Sequence, residues 1–330
     1  MVKVCIFGAG AIGGHIAGHL ARAGEAEVSM VARGAALSAI RDHGLNVETP
    51  SGRFITHPRA TDDPAALGVQ DYVLLTLKAH QLDTALPALA PLIGPQTAIL
   101  PPTTGLPAAF LHGLDGRYGG QVLEPVDPGG IQARTMPVDQ VLGIVYWIGA
   151  HGQGPGMVRQ DGPLATCMIG EFDGSASPRA SRLSALMTGS GIKTPVRPDI
   201  RADIWIKFVN SLAWNPVAVL TGATNGAIAG DPAALGTVRR MMVEADAIAA
   251  ALGLTITVPP EKRIAVTSSS PDHKMSMLQD LEHRRPLEIE ALERSIRAVR
   301  DLTGIPTPTI DAVLSLVALR SATAQPQEKE

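Results

Sequence analysis

Apolar residues recur along this chain with two different periods, and the change of period divides it. In the first part they come as short, nearly unbroken runs: VKVCIF at residues 2–7, VSMVA at 28–32, DYVLLTL at 71–77, AIL at 98–100 and VLGIVYWIGA at 141–150. Such runs, rich in β-branched residues and closed by glycine or proline, make strands buried on both faces. Between the first two, Ala11–Ala23 has apolar residues at helical spacing and predicts a helix, followed by a second strand at Glu27–Ala32. The stretch LNVETPSGRFIT alternates on either side of Pro50-Ser51-Gly52 and predicts a hairpin over Leu45 to Thr56. Met157-Val158 and Ala165–Ile169 are expected to extend the same sheet with antiparallel strands, and residues 114–130 to be irregular.

After Thr194-Pro195-Val196-Arg197-Pro198 the spacing turns helical. Helices are predicted over 199–220, interrupted only at Pro216, then over 232–252, 260–267, from Lys274, over 287–302 and over 308–319. The core of the 232–252 helix is expected at Leu235, Val238, Met241, Met242, Ala245 and Ile248, and the 287–302 helix is expected to carry Glu288 and Glu290 in its first turn. The fold class is therefore α/β: a doubly wound parallel domain over 1–197, an all-helical domain over 198–322 and a disordered tail over 323–330. A length of 330 residues agrees with two domains.

Composition narrows the class. Hydrophobic residues make up 45% and charged ones 18%, with a net charge of −3, so a nucleic-acid partner is not expected. Cys5 and Cys167 lie far apart in apolar runs and read as core residues, not as a disulfide framework. No apolar run is long enough to span a bilayer, and no metal-ligand cluster stands out, so the expectation is a cytoplasmic protein without a membrane partner or metal.

The candidate chemistry begins at the glycine cluster Gly8-Ala9-Gly10-Ala11-Ile12-Gly13, a GxGxxG set between a strand and a helix. In a Rossmann-type turn the first glycine permits the sharp turn, the second lets the backbone approach a pyrophosphate, and the third lets the helix pack on the strand. The free N–H groups of the helix then face the phosphates, which points to a dinucleotide site; a βαβ unit without ligand is the other reading. Where an NAD site carries Asp or Glu after the second strand, this chain has Ala32-Arg33. An arginine there suits a 2′-phosphate and favours NADP(H), the alternative being a surface arginine beside an open loop. Lys78 follows the 71–77 strand, at the sheet edge where ligands bind, with His80 close by. Along the 199–220 helix, Lys207, Ser211 and Asn215 recur at intervals of four and share a stripe, with Asn210 off to one side. A polar stripe among Trp205, Phe208 and Trp214 has to be satisfied, and a ligand would do so. Tyr146 and Trp147 read as core residues, the other reading being apolar bulk beside a ligand cleft.

These motifs resemble the ketopantoate reductases over nearly the whole chain. The resemblance is carried by GAGAIGG at Gly8–Gly14, LTLKAHQ around Lys78, DIWIKFVNSLAWNP from Asp203 to Pro216, and KMSMLQDLEHRRPLEIE from Lys274 to Glu290. It implies a Rossmann domain followed by a helical domain of the 6-phosphogluconate dehydrogenase C-terminal type, with the active site in the cleft between them. It implies hydride transfer from NADPH to the keto carbon of 2-dehydropantoate, giving pantoate. Matched by motif, Lys207 is the catalytic proton donor; Asn215 and Ser276 hold substrate; Glu288 lies beside the ribose and the substrate. Gly8, Ala9, Gly10, Ala11, Ile12, Gly13, Arg33 and Lys78 face the cofactor. A small 2-oxo acid is then the partner, with a homodimer left open.

Two positions depart from the family pattern: Thr104 and Ser211 stand where it has asparagines facing substrate, and the resemblance also implies that position 104 neighbours the cofactor. A hydroxyl is shorter than an amide and offers fewer hydrogen-bonding groups, so preference for 2-dehydropantoate is open while the hydride chemistry is expected to survive. Asn210 replaces the missing amide only if the helix is locally rewound. The other readings are an NADP(H)-dependent enzyme working on a different hydroxy or oxo compound, or in the oxidative direction, and a non-catalytic NADP(H)-binding module.

Overall fold

The computed structural model describes residues 1–324. The chain forms two compact units. Unit one comprises Met1–Thr103, Pro107–Leu114 and Gly129–Asp203; unit two comprises Thr104–Leu106, Asp115–Pro128 and the chain from Ile204 onward. The division falls inside a helix, beyond the proline-rich stretch around Arg197, and two segments of the N-terminal half cluster with unit two.

Unit one begins β1 (Val2–Phe7), α1 (Ala11–Ala23), β2 (Ala26–Val31), α2 (Gly34–His43), β3 (Leu45–Thr49), β4 (Gly52–Thr56) and β5 (Arg59–Thr61). It continues β6 (Tyr72–Leu75), α3 (Leu82–Ala85), β7 (Ala98–Leu100), α4 (Ile131–Thr135), β8 (Gly143–Gly154), β9 (Met157–Gly170) and α5 (Pro178–Gly189). Five strands form a parallel sheet in the order β5-β2-β1-β6-β7. The apolar run of β1 is central, with Val4, Cys5 and Ile6 fully buried. Its pairing of Phe7 with both Val31 and Leu75 brings the ends of β1, β2 and β6 to one edge.

The strands after residue 141 do not extend that sheet. They form a second one, β4-β3-β9-β8, and just before β8 Val141 makes an isolated parallel bridge with Ile99 of β7. β8 and β9 make a long antiparallel hairpin, and β3 pairs parallel with β9 through Asn46–Met157 to Glu48–Arg159. The reason lies in α1, which packs against strands of both sheets. A Cβ at Gly14 would stand 2.6 Å from Val158, and one at Gly18 would stand 2.4 Å from Val47, so the glycines allow the second sheet to close on this helix. The expected β3–β4 hairpin is present, inside this sheet. α2 and α5 appear where no helix was expected; Ser177 caps α5 by accepting the Ala180 N–H. Tyr146 is buried in the core that the two sheets share.

Unit two carries the greater part of α6 (Ile200–Thr221), then α7 (Asn225–Gly230), α8 (Pro232–Leu252), α9 (Pro260–Ser268), α10 (Ser276–Glu282), α11 (Ile289–Thr303) and α12 (Pro308–Ala324). α6 is buried nearly all round: Trp205, Val209, Leu212, Ala213, Trp214, Ala218 and Val219 are fully buried. Pro216 does not interrupt it. α8 packs against α7, α9, α11 and α12, and buries Val238, Met241, Met242, Ala245 and Ile248, while Leu235 is half-buried. Two boundaries differ from expectation. Glu288 is the N-cap residue of α11 instead of lying in its first turn, and α12 runs through Thr323 to Ala324; the rest of the expected tail, 325–330, lies outside the described residues. Among the described residues no helix is long and apolar enough to cross a membrane.

Candidate functional site

In unit one, the edge formed by the ends of β1, β2 and β6 carries Gly8, Arg33 and Lys78. Gly8 adopts φ +120°, a conformation that side-chain-bearing residues avoid. Gly10 is the N-cap of α1 with no side-chain capping bond, and the first turn of α1 has no acidic residue. The N–H groups of Ala11, Ile12 and Gly13 therefore begin the helix without a side-chain acceptor, which is the environment an anion fills. At Gly13 a Cβ would stand 2.1 Å from the Gly8 carbonyl oxygen, so only glycine fits. The chain here fits a dinucleotide pyrophosphate: a glycine turn of tight approach, open helix amides and no carboxylate in the first turn of α1.

Arg33 is exposed and caps α2 with backbone only, so its side chain makes no bond to that helix. Lys78 is half-buried and opens the 3-10 turn Ala79–Gln81, where its N–H donates to Gln81 Oε1 at 3.1 Å. His80, in that turn, is exposed.

In unit two, Lys207, Ser211 and Asn215 lie along α6 as the spacing predicts. Lys207 is half-buried, and burial pulls its ammonium pKa down to about 8 although the negative charge of Glu288 pushes it up. Glu288 is itself buried at the head of α11. A desolvated lysine beside a buried carboxylate remains cationic at neutral pH yet releases its proton readily, the property a proton donor to a carbonyl oxygen needs.

Asn215 is buried, and its amide is engaged within the protein. Its Oδ1 accepts the Met277 N–H at 3.0 Å and the Ser276 hydroxyl at 3.4 Å, and its Nδ2 donates to the Ser211 carbonyl at 3.2 Å. A backbone donor at one end and a backbone acceptor at the other fix which way the amide points. Ser276 is exposed at the start of α10. Ser211 and Thr104 are half-buried. Thr104 is held by its neighbours: Gly105 adopts φ +85° against Ala291 and Ser295 of α11, and the Leu106 N–H donates to Ser295 Oγ at 2.8 Å. Thus the structure groups Lys207 with Glu288, and Asn215 with Ser276 and Ser211, while the Thr104 segment rests on α11.

Asn210 does not join them. α6 is unbroken there, and Asn210 Oδ1 accepts the Thr267 hydroxyl at 2.9 Å. The same threonine's carbonyl accepts from Asn225 Nδ2 at 3.2 Å, and Asn225 keeps a buried Oδ1 with no partner among the described residues. Sequence reasoning passed over this Asn210–Thr267–Asn225 cluster, because its members come from three separate helices and share no motif. It also passed over His15 and His19 on α1, whose rings lie 4.4 Å apart. His15 Nε2 bonds Gln160 Oε1 at 2.8 Å, and burial lowers its pKa to about 4. Among the described residues no cluster could hold a metal ion.

Comparison with known proteins gives a consistent result. The family described as ketopantoate reductase PanE/ApbA matches residues 4–174, and its C-terminal counterpart matches residues 199–321. A 2-dehydropantoate 2-reductase from Mesorhizobium japonicum is 41% identical over 317 residues, covering 96% of this chain and 97% of that protein. A crystal structure from Ralstonia solanacearum MolK2, assigned to the ketopantoate reductases, superposes with TM-score 0.90 at 39% identity, covering 98% and 99% of the two chains. D-mandelate dehydrogenase, solved with NADH and anilino(oxo)acetate, shares the fold with TM-score 0.81 at 20% identity, covering 98% of this chain and 99% of its own.

Proposed function

Because this chain belongs to the ketopantoate reductase PanE/ApbA family and is an oxidoreductase of the CH–OH class, we propose that it reduces 2-dehydropantoate to pantoate with NADPH. The observation that carries the reading is Lys207, a lysine held at a pKa of about 8 beside the buried Glu288. When bound, the reduced dinucleotide supplies the hydride. The open amides of α1 would hold its pyrophosphate, Arg33 the 2′-phosphate and Lys78 a neighbouring part of the cofactor. The Lys207 ammonium would donate a hydrogen bond to the ketone oxygen and then its proton to the forming alkoxide, so positive charge stands where negative charge develops. Ser276 would hold the substrate, and the charge of Glu288 would favour the protonated form of Lys207.

A second reading, reduction of a different 2-oxo acid, is favoured by Thr104 and Ser211. Each is a half-buried residue with one short hydroxyl where the resemblance calls for an amide. A site that lacks the partner for a substrate hydroxyl discriminates poorly for it. The deciding experiment follows NADPH oxidation with 2-dehydropantoate and with 2-oxo acids lacking its hydroxyl, in the native protein and in Thr104→Asn/Ser211→Asn. If the principal reading holds, 2-dehydropantoate has the highest kcat/KM in the native protein. If simple 2-oxo acids are turned over equally well and the double substitution restores the preference, the second reading replaces it.

A further inference from the structure

The roles assigned so far leave Thr76 unused. It follows β6, and its hydroxyl donates to the Gly8 carbonyl at 2.9 Å, with the Phe7 carbonyl at 3.3 Å. Its backbone N–H donates to the same Phe7 carbonyl at 3.0 Å, so the residue is stitched to the end of β1. Gly8 is buried and sits at φ +120°. In a planar trans peptide the N–H of Ala9 points opposite to the carbonyl of Gly8. Holding that carbonyl toward β6 therefore holds the Ala9 N–H away from β6.

We propose that Thr76 is a positioning residue that locks the Gly8–Ala9 peptide in the orientation that presents the Ala9 N–H to the cofactor pyrophosphate. The proposal rests on the dinucleotide reading given above. A valine has the same shape as threonine but no hydroxyl, and with it the buried Gly8 carbonyl would lose its side-chain donor. Rotation of the Gly8–Ala9 peptide about Gly8 ψ and Ala9 φ then relieves that loss, and even a partial rotation swings the Ala9 N–H off the direction in which it meets a bound phosphate. Gly13 fits the same picture. A Cβ there would stand 2.1 Å from the Gly8 oxygen and 2.4 Å from Thr76 Oγ1. The third glycine thus keeps clear the space that this hydrogen bond occupies, besides letting the helix approach the strand.

The test is NADPH affinity by fluorescence titration in the native protein, Thr76→Val, Thr76→Ala and Thr76→Ser, with Tm and the KM for the 2-oxo acid at saturating NADPH measured alongside. Loss of one such hydrogen bond is expected to weaken NADPH binding about 10-fold in the valine and alanine variants, whereas serine, which keeps the donor, stays within about twofold. The KM for the 2-oxo acid stays unchanged. Native affinity in Thr76→Val and Thr76→Ala overturns the proposal, as does a serine variant as weak as valine. A drop in Tm with both substrates affected alike would show a merely structural role and overturn it too. A native protein that binds no NADPH refutes the dinucleotide reading itself, and this inference with it. The alanine variant keeps the question answerable should the valine variant fail to fold.

Discussion

A lysine ammonium with its pKa drawn down to about 8 is a proton donor at pH 7 and ceases to be one as the pH rises past that value. Reductive kcat/KM is therefore predicted to fall above about pH 8. Glu288 opposes the effect of burial on Lys207, so Glu288→Gln should shift this alkaline limb to lower pH. A limb that stays in place in the variant would separate Lys207 from the proton transfer. His15 makes a prediction of the other kind, about stability. Burial lowers its pKa from 6.5 to about 4, so the unfolded chain takes up a proton over that interval while the folded one does not. The resulting stabilisation is complete above pH 6.5 and is lost as the pH falls toward 4, a change of at most about 3 kcal/mol. Urea midpoints measured across this window should fall more steeply for the native protein than for His15→Gln. Parallel pH dependences would mean that the imidazole is not held neutral by the fold.

At the scale of elements, α1 does two jobs with one row of small residues. Its first turn begins at the sheet edge beside Gly8, and further along Gly14 and Gly18 receive the second sheet. Gly18→Ala would press a methyl to 2.4 Å from Val47, and such overpacking should cost about 1–3 kcal/mol, read as a drop in chemical-denaturation stability. Unchanged stability would mean that the sheet gives way freely at that contact. This packing was beyond the reach of the sequence. Four strands of the parallel sheet were legible because burial on both faces leaves short apolar runs; the edge strand β5, with the sequence RAT, was not, since it is three residues long and has no apolar run. The second sheet was not, because β3 pairs with β9 more than a hundred residues away, and nothing local distinguishes a strand that joins one sheet from a strand that starts another. α2 was hidden by Gly34 in its first turn, and α5 by a polar, weakly periodic sequence capped through Ser177. In the helical part the 3.6-residue period placed Lys207, Ser211 and Asn215 on one stripe of α6, as found. What the spacing could not supply was which groups come from other helices: Glu288 beside Lys207, Met277 and Ser276 on the Asn215 amide, and Thr267 on Asn210.

At the scale of the whole molecule, the candidate residues divide between the two units. Unit one offers the glycine turn, Arg33 and Lys78 at the edge of a parallel sheet; unit two offers Lys207, Glu288, Asn215 and Ser276, with the Thr104 segment held against α11. The ketopantoate reductase family matches residues 4–174 and 199–321, almost the entire chain. The fold alone would not select a substrate, since D-mandelate dehydrogenase shares it. The assignment therefore depends on whether Lys207 performs the proton transfer. The most direct measurement is NADPH oxidation by 2-dehydropantoate at pH 7 in the native protein and in Lys207→Ala, with NADPH affinity determined for both. The account predicts turnover in the native protein and a fall of about 10²- to 10⁴-fold in the variant, with NADPH affinity retained. Comparable turnover in the two proteins, at equal NADPH affinity, would contradict it.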